Sequence, residues 1–233
     1  MTKKVRNLHI YFLLDRSGSM QSMADDVVGG FNGFLAAQQG EGHDAVLTLV
    51  QFDSQDSHEV LVDGSPIAEV EPLDRARFQP RGGTPLYDAI GHLIADATIR
   101  AEKTAIDGSR TEEILFVTFT DGMENRSTEY TQKQIFGLIS KRQELGWTFA
   151  YLGANQDSYA EGGQIGYSVG NVQNFAADGT GTAAAFASLS PAVSRRRAAI
   201  RTGAAYDNRD LFEGDKGAEL DLQKRAQRSG ENP

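Results

Sequence analysis

No cysteine occurs among the 233 residues, which excludes disulfides, thiolate metal sites and cysteine nucleophiles. That usage suits a reducing compartment. Long apolar runs are missing as well. The first, residues 10–14, stops at Asp15, too short for a secretory signal core, and no later stretch approaches the ~20 residues of a membrane span. The reading is a cytoplasmic chain with no membrane partner. An excess of basic residues is also lacking. A net charge of −9 repels phosphates, so no nucleic-acid partner is expected. The glycine-rich stretches at 162–170 and 178–182 carry no G-K-[ST] and match no phosphate loop.

What is present is an alternation of strands and helices. Residues 8–14 and 114–120 are dense in branched and aromatic side chains without polar alternation, as strands buried on both faces are. Residues 45–52 and 147–152 read as further strands, 172–175 as a weaker one, and 58–62 as a short antiparallel edge strand after a tight polar turn. Between them run helical stripes. Ala24, Val27, Val28, Phe31, Phe34 and Leu35 form one, and Leu86, Ala89, Ile90, Leu93, Ile94 and Ala97 a second that begins after Thr84-Pro85. Ile135, Leu138, Ile139 and Leu145 mark a third. An alanine-rich fourth spans 178–200, where Pro191 is expected to kink or split it. The arginines Arg195 to Arg197 read as its solvated face. The fold class is therefore α/β: a three-layer, doubly wound, Rossmann-like and mostly parallel sheet with one antiparallel edge strand. The domain is expected over residues 5–203, with 204–233 a polar, mobile tail.

In such sheets ligands bind beyond the carboxyl ends of the strands, where the strand order reverses. Asp15 and Asp121 both end strands there. Three loops converge on that edge: Asp15-Arg16-Ser17-Gly18-Ser19, Gly82-Gly83-Thr84-Pro85 and Thr120-Asp121-Gly122. Asp15, Ser17, Ser19, Thr84 and Asp121 supply two carboxylates and three hydroxyls with no nitrogen or sulfur, a donor set for a hard cation: Mg²⁺, with Mn²⁺ or Ca²⁺ as alternatives. Each piece also has an ordinary reading. Ser17, Ser19 and Thr84 are good helix caps, and Asp121-Gly122 is a common turn. It is their joint arrival at one edge that favours the metal. The four histidines do not join it. His9 and His43 belong to the opposite edge, His92 lies two turns into its helix, and His58 begins the edge strand about 10 Å to the side.

D-x-S-x-S after the first strand, threonine in G-G-T-P and a later F-T-D-G resemble the metal-ion-dependent adhesion site of von Willebrand factor type A (vWA) domains, all five motif positions being present. The combination of "DRSGSM", "GGFN" and "LGAN" is also similar to a bacterial group of such proteins. The resemblance implies the vWA fold, with Ser17 and Ser19 as direct ligands, Thr84 direct in a high-affinity state, and Asp15 and Asp121 holding coordinated waters and hydroxyls. It implies a Mg²⁺-dependent protein-interaction module that binds a glutamate or aspartate of a partner, with Arg16, Met20, Met123, Glu124 and Arg126 as the partner-binding rim. In bacteria such adaptors work beside AAA+ ATPases or in stress-response systems. The alternative is a metal-dependent hydrolase or phosphatase on the same ion, for which Glu124 is the one nearby base.

Overall fold

The computed structural model describes residues 7–107, 112–154 and 157–229. Its strands are β1 (Asn7–Asp15), β2 (Ala45–Asp53), β3 (Asp56–Pro66), β4 (Glu112–Thr120), β5 (Thr148–Ala154) and β6 (Val172–Phe175). Its helices are α1 (Ala24–Gly40), α2 (Leu86–Asp107), α3 (Gln132–Glu144), α4 (Ser158–Gln164), α5 (Gly179–Thr202) and α6 (Gly217–Ser229). The sheet runs β3-β2-β1-β4-β5-β6, parallel throughout except for β3, which is antiparallel to β2. The order reverses between β1 and β4. Asp15 and Asp121 flank that crevice.

Every residue of β1 is buried, because its side chains alternate between two cores. Leu8, Ile10, Phe12 and Leu14 join the α1/α5 side, whereas Tyr11 and Leu13 join the α2/α3 side. The stripes on α1 and α2 are buried at every expected position. On α3, Leu145 departs from its stripe: it sits at the C-cap, beyond the last turn, and is exposed.

Two further expectations change. Pro191 lies inside α5 without ending it. The lost backbone hydrogen bond is offset by burial of Ala185, Phe186, Leu189, Ala192 and Val193 against the sheet. The segment after residue 203, expected to be loose, is packed over its described part. Leu211, Phe212 and Ala218 enter the α1/α5 core, Leu211 N–H donates to Asn171 Oδ1, and Arg225 pairs with Asp178 at the N-cap of α5. Its few apolar residues are too widely spaced to show a period, yet they suffice to dock it.

The "GGFN" stretch now has a packing reason. Gly30 lets α5 approach α1, for a Cβ there would lie 2.2 Å from the Phe186 ring. Asn32 pairs with both backbone groups of Leu73. Gly33 has nothing within 4 Å of a built Cβ. Gly30→Ala should therefore destabilise by about 1–3 kcal/mol through overpacking, while Gly33→Ala should stabilise by about 0.5–1 kcal/mol. Paired denaturant melts check both signs. Of "LGAN", Leu152 to Ala154 end β5, and Asn155 lies outside the described residues.

Candidate metal centre

The first two loops are joined through the backbone. Arg16 N–H donates to Phe52 O, Arg81 N–H to Arg16 O, and Gly18 N–H to Gly82 O. The third loop is tied to the second by Asn125, whose Oδ1 accepts from Thr84 N–H and whose N–H donates to Thr84 O. Asp88, in the first turn of α2, accepts from the N–H groups of Thr128, Glu129 and Tyr130. All three loops are thus held to α2 or to one another before any ligand is considered.

Within this frame the five predicted side chains come together. Asp15 is fully buried, with Oδ1 accepting from Ser17 N–H at 2.7 Å and Oδ2 from the Thr120 hydroxyl at 2.5 Å. Ser17 and Ser19 hydroxyls lie 3.0 Å apart, and Ser19 donates to Asp121 Oδ1 at 2.8 Å. Thr84 Oγ1 completes the group: a Cβ built on Gly122 would stand 3.1 Å from it and 3.8 Å from Ser19 Oγ. Among the described residues no three His, Cys, Asp or Glu side chains cluster as a metal site; this centre is mostly hydroxyl.

Ser17 precedes the short 3₁₀ turn Gly18–Met23 but its side chain caps nothing. Thr84 is relieved of capping too. Tyr87 N–H goes to Glu124 Oε2 and Asp88 N–H to Ser127 Oγ, so the start of α2 is satisfied from the β4–α3 loop. Hydroxyls that could have capped helices instead face two carboxylates.

Those carboxylates are electrostatically uncomfortable. Burial pushes Asp15 up to about 7, against the lowering pull of the Thr120 hydroxyl and the Ser17 N–H. Burial also raises Asp121, against its hydrogen bond from Ser19. Both are the groups a nearby cation would favour in ionised form. The residues present therefore fit a hard divalent ion.

No protein-family model matches the sequence, and no curated protein matches it. Similarity is found in shape. The pilus adhesin SpaC of Lactobacillus rhamnosus GG, in its open conformation, aligns with TM-score 0.62 at 15% identity, covering 83% of this chain and 31% of that one. A von Willebrand factor type A structure from Catenulispora acidiphila aligns at 0.51 and 14% identity, over 84% of this chain and 43% of that one. Manganese-loaded TRAP from Plasmodium vivax gives 0.50 and 15%, over 78% and 72%. The fold is that of a vWA domain. The chain spans less than half of the SpaC and Catenulispora chains, and at these identities the likeness is one of fold.

On this vWA scaffold the rim differs from expectation. Met20 is 0% exposed, a core residue beneath α1, because the 3₁₀ turn folds it inward. Arg16 is also buried. Its guanidinium is drawn sideways to Asp53, at 2.6 Å, and to Glu59 on β3, so it braces the loop and is not offered to a partner. Glu124 is occupied by four donors: the N–H groups of Tyr87, Arg126 and Ser127, and the Ser127 hydroxyl. Glu124, the base on which the hydrolytic alternative would call, is thereby fixed within its loop. Met123, 58% exposed, and Arg126, also exposed, remain outward-facing.

Four supporting residues escaped the sequence reading. Thr120 holds Asp15, Asn125 and Asp88 fix the third loop, and buried Asp53 gathers Arg16 and Arg81. Only Thr120 left a signal, a hydroxyl ending an otherwise apolar strand.

Proposed function

We propose that the chain is a Mg²⁺-dependent protein-interaction module whose partner presents a glutamate or aspartate. The observation carrying this is the meeting of a buried carboxylate, Asp15, and a half-buried one, Asp121, with the hydroxyls of Ser17, Ser19 and Thr84 at the sheet's switch point. Asp15, Ser17, Ser19, Thr84 and Asp121 would hold the ion, with Mn²⁺ or Ca²⁺ as substitutes. A bound divalent ion would supply an electrophilic position for the partner's carboxylate. The hydroxyls of Ser17, Ser19 and Thr84 bring no charge of their own, while Asp15 and Asp121 orient them. Met123 and Arg126 flank the opening and select the partner. The resemblance to the bacterial group supports a setting in the bacterial cytoplasm, beside an AAA+ ATPase or within a stress response.

The test combines titration with capture. Calorimetric titration of the EDTA-stripped chain should show Mg²⁺ binding that Asp121→Ala weakens about 10–100-fold. Pull-downs should retain a partner with wild type in Mg²⁺ and lose it in EDTA or with Asp121→Ala. Absence of binding at about 10 mM Mg²⁺ sinks the metal. A partner held equally in EDTA sinks the carboxylate bridge.

A further inference from the structure

A second candidate site lies on the other side of β2, away from the three loops. A groove of about 740 Å³ opens between the edge hairpin and α2, within the size range of small-molecule sites. Tyr11, Thr48 and Val50 form its floor, Val60 and Asp63 one wall, and α2 the other. Val60 and Ile99 are exposed apolar side chains facing this space.

The floor contains an unmet hydrogen bond. The Tyr11 side chain is buried and its hydroxyl oxygen has no hydrogen-bond partner among the described residues. The ring cannot swing to find one, since it is stacked between His9 at 3.9 Å and Phe116 at 4.9 Å. Its polar neighbour in the floor is taken: Thr48 Oγ1 meets His9 Nε2 at 2.8 Å and Gly64 N–H at 3.0 Å. A buried hydroxyl left without a partner is uncommon in folded proteins and calls for an acceptor from outside.

The charges around the groove indicate which acceptor. Asp63 is held by Arg100, and Asp96 meets His58 Nε2 at 2.7 Å. Lys103 has no carboxylate within ion-pair distance among the described residues. Both groove carboxylates thus have a hydrogen-bonded or ion-paired partner, and Lys103 is the lining cation left without one among the described residues, beside the apolar side chains of Val60 and Ile99. We propose that the groove binds a small organic carboxylic acid with an apolar body, its polar oxygens shared between Lys103 and the Tyr11 hydroxyl. The apolar body would cover Val50, Val60 and Ile99.

The probe is 2-naphthoate, with uncharged 2-naphthamide beside it, each followed by two-dimensional NMR of the full chain. EDTA is present throughout, so that no ion at the three loops can capture the carboxylate. Naphthoate should shift resonances of Val60, Ile99 and Thr104 and leave Ser17 and Asp121 unmoved. Naphthamide should bind about tenfold more weakly, and Lys103→Gln should erase that difference. Tyr11→Phe should weaken naphthoate about tenfold while its melting temperature equals or exceeds that of wild type, which separates a lost ligand contact from a damaged fold. No shift at about 5 mM naphthoate overturns the proposal. So does equal binding by Tyr11→Phe, or a Tyr11→Phe chain that is merely more stable while the wild type binds neither probe.

Discussion

Arg197→Ala is expected to destabilise the chain by about 3–5 kcal/mol, the cost of leaving a buried ion-paired network without its cation. Arg197 is 0% exposed. It reaches across from α5 to the α1–β2 connection, donating to the carbonyls of Gln38 and Gly42, to Gln38 Oε1 and to Asp44 at 2.5 Å. Alanine would strand two carbonyls and weaken the hold on Asp44 in one step. For a chain of this size the expected drop in melting temperature is about 10 °C. Arg201→Ala is the control. It touches Glu41 and Asp44 from a solvated position, and its loss should cost about 1 kcal/mol or less.

The same cluster predicts an acid limb. Burial would raise Asp44, but Arg197 and Arg201 outweigh it and hold the carboxyl below its ordinary range. A depressed folded-state value gives stability that is present above the unfolded pKa near 3.9 and fades as pH falls through the folded one. Acid melts of wild type should therefore steepen below about pH 4, and Arg197→Ala should lose part of that slope. A variant within about 1 kcal/mol of wild type would refute the clamp.

Arg197 also shows where sequence stops being legible. Three consecutive arginines read as a wet helix face because periodicity records hydrophobicity, and arginine scores the same whether it meets water or a ring of carbonyls. Only Arg195 of the three reaches toward solvent. Arg196 is buried against Thr148 and stacks on Tyr206 at 4.0 Å. The strands were legible for the opposite reason. Runs such as residues 8–14 are apolar on both faces and have few other ways to be buried.

At the candidate metal centre the division is similar. The convergence of Ser17, Ser19, Thr84 and Asp121 was legible because strand ends and loop order fix where backbone goes, and short side chains follow it closely. Arg16 and Met20 were misread as rim because long side chains choose partners that sequence does not display. Asp53 and Glu59 claimed the first, and the core beneath α1 claimed the second.

Asp15→Asn should make the cation-free chain more stable, not less, and should abolish its response to Mg²⁺. Asp15 is fully buried, and burial pushes it up to about 7 from an ordinary 3.8. A raised folded-state value means that this group favours folding fully below the unfolded pKa, and the benefit is lost as pH climbs through the folded one. In EDTA the wild type should thus lose about 4 kcal/mol between pH 4 and pH 8 from this carboxyl alone. Asparagine removes the charge and keeps the shape. Its Oδ1 can still accept from Ser17 N–H, and its amide can donate to Thr120 Oγ1, freeing that hydroxyl to donate to Gly122 O, 3.1 Å away. At pH 8 in EDTA, Asp15→Asn should melt about 10 °C higher than wild type. Added Mg²⁺ should reverse the ranking, because ligand binding to the folded state stabilises only a chain that can bind it. If Asp15→Asn melts below wild type in EDTA, the buried charge is not the cost assigned to it. If Mg²⁺ stabilises both chains equally, the ion sits elsewhere, and the convergence of the three loops serves only to hold the sheet's upper edge together.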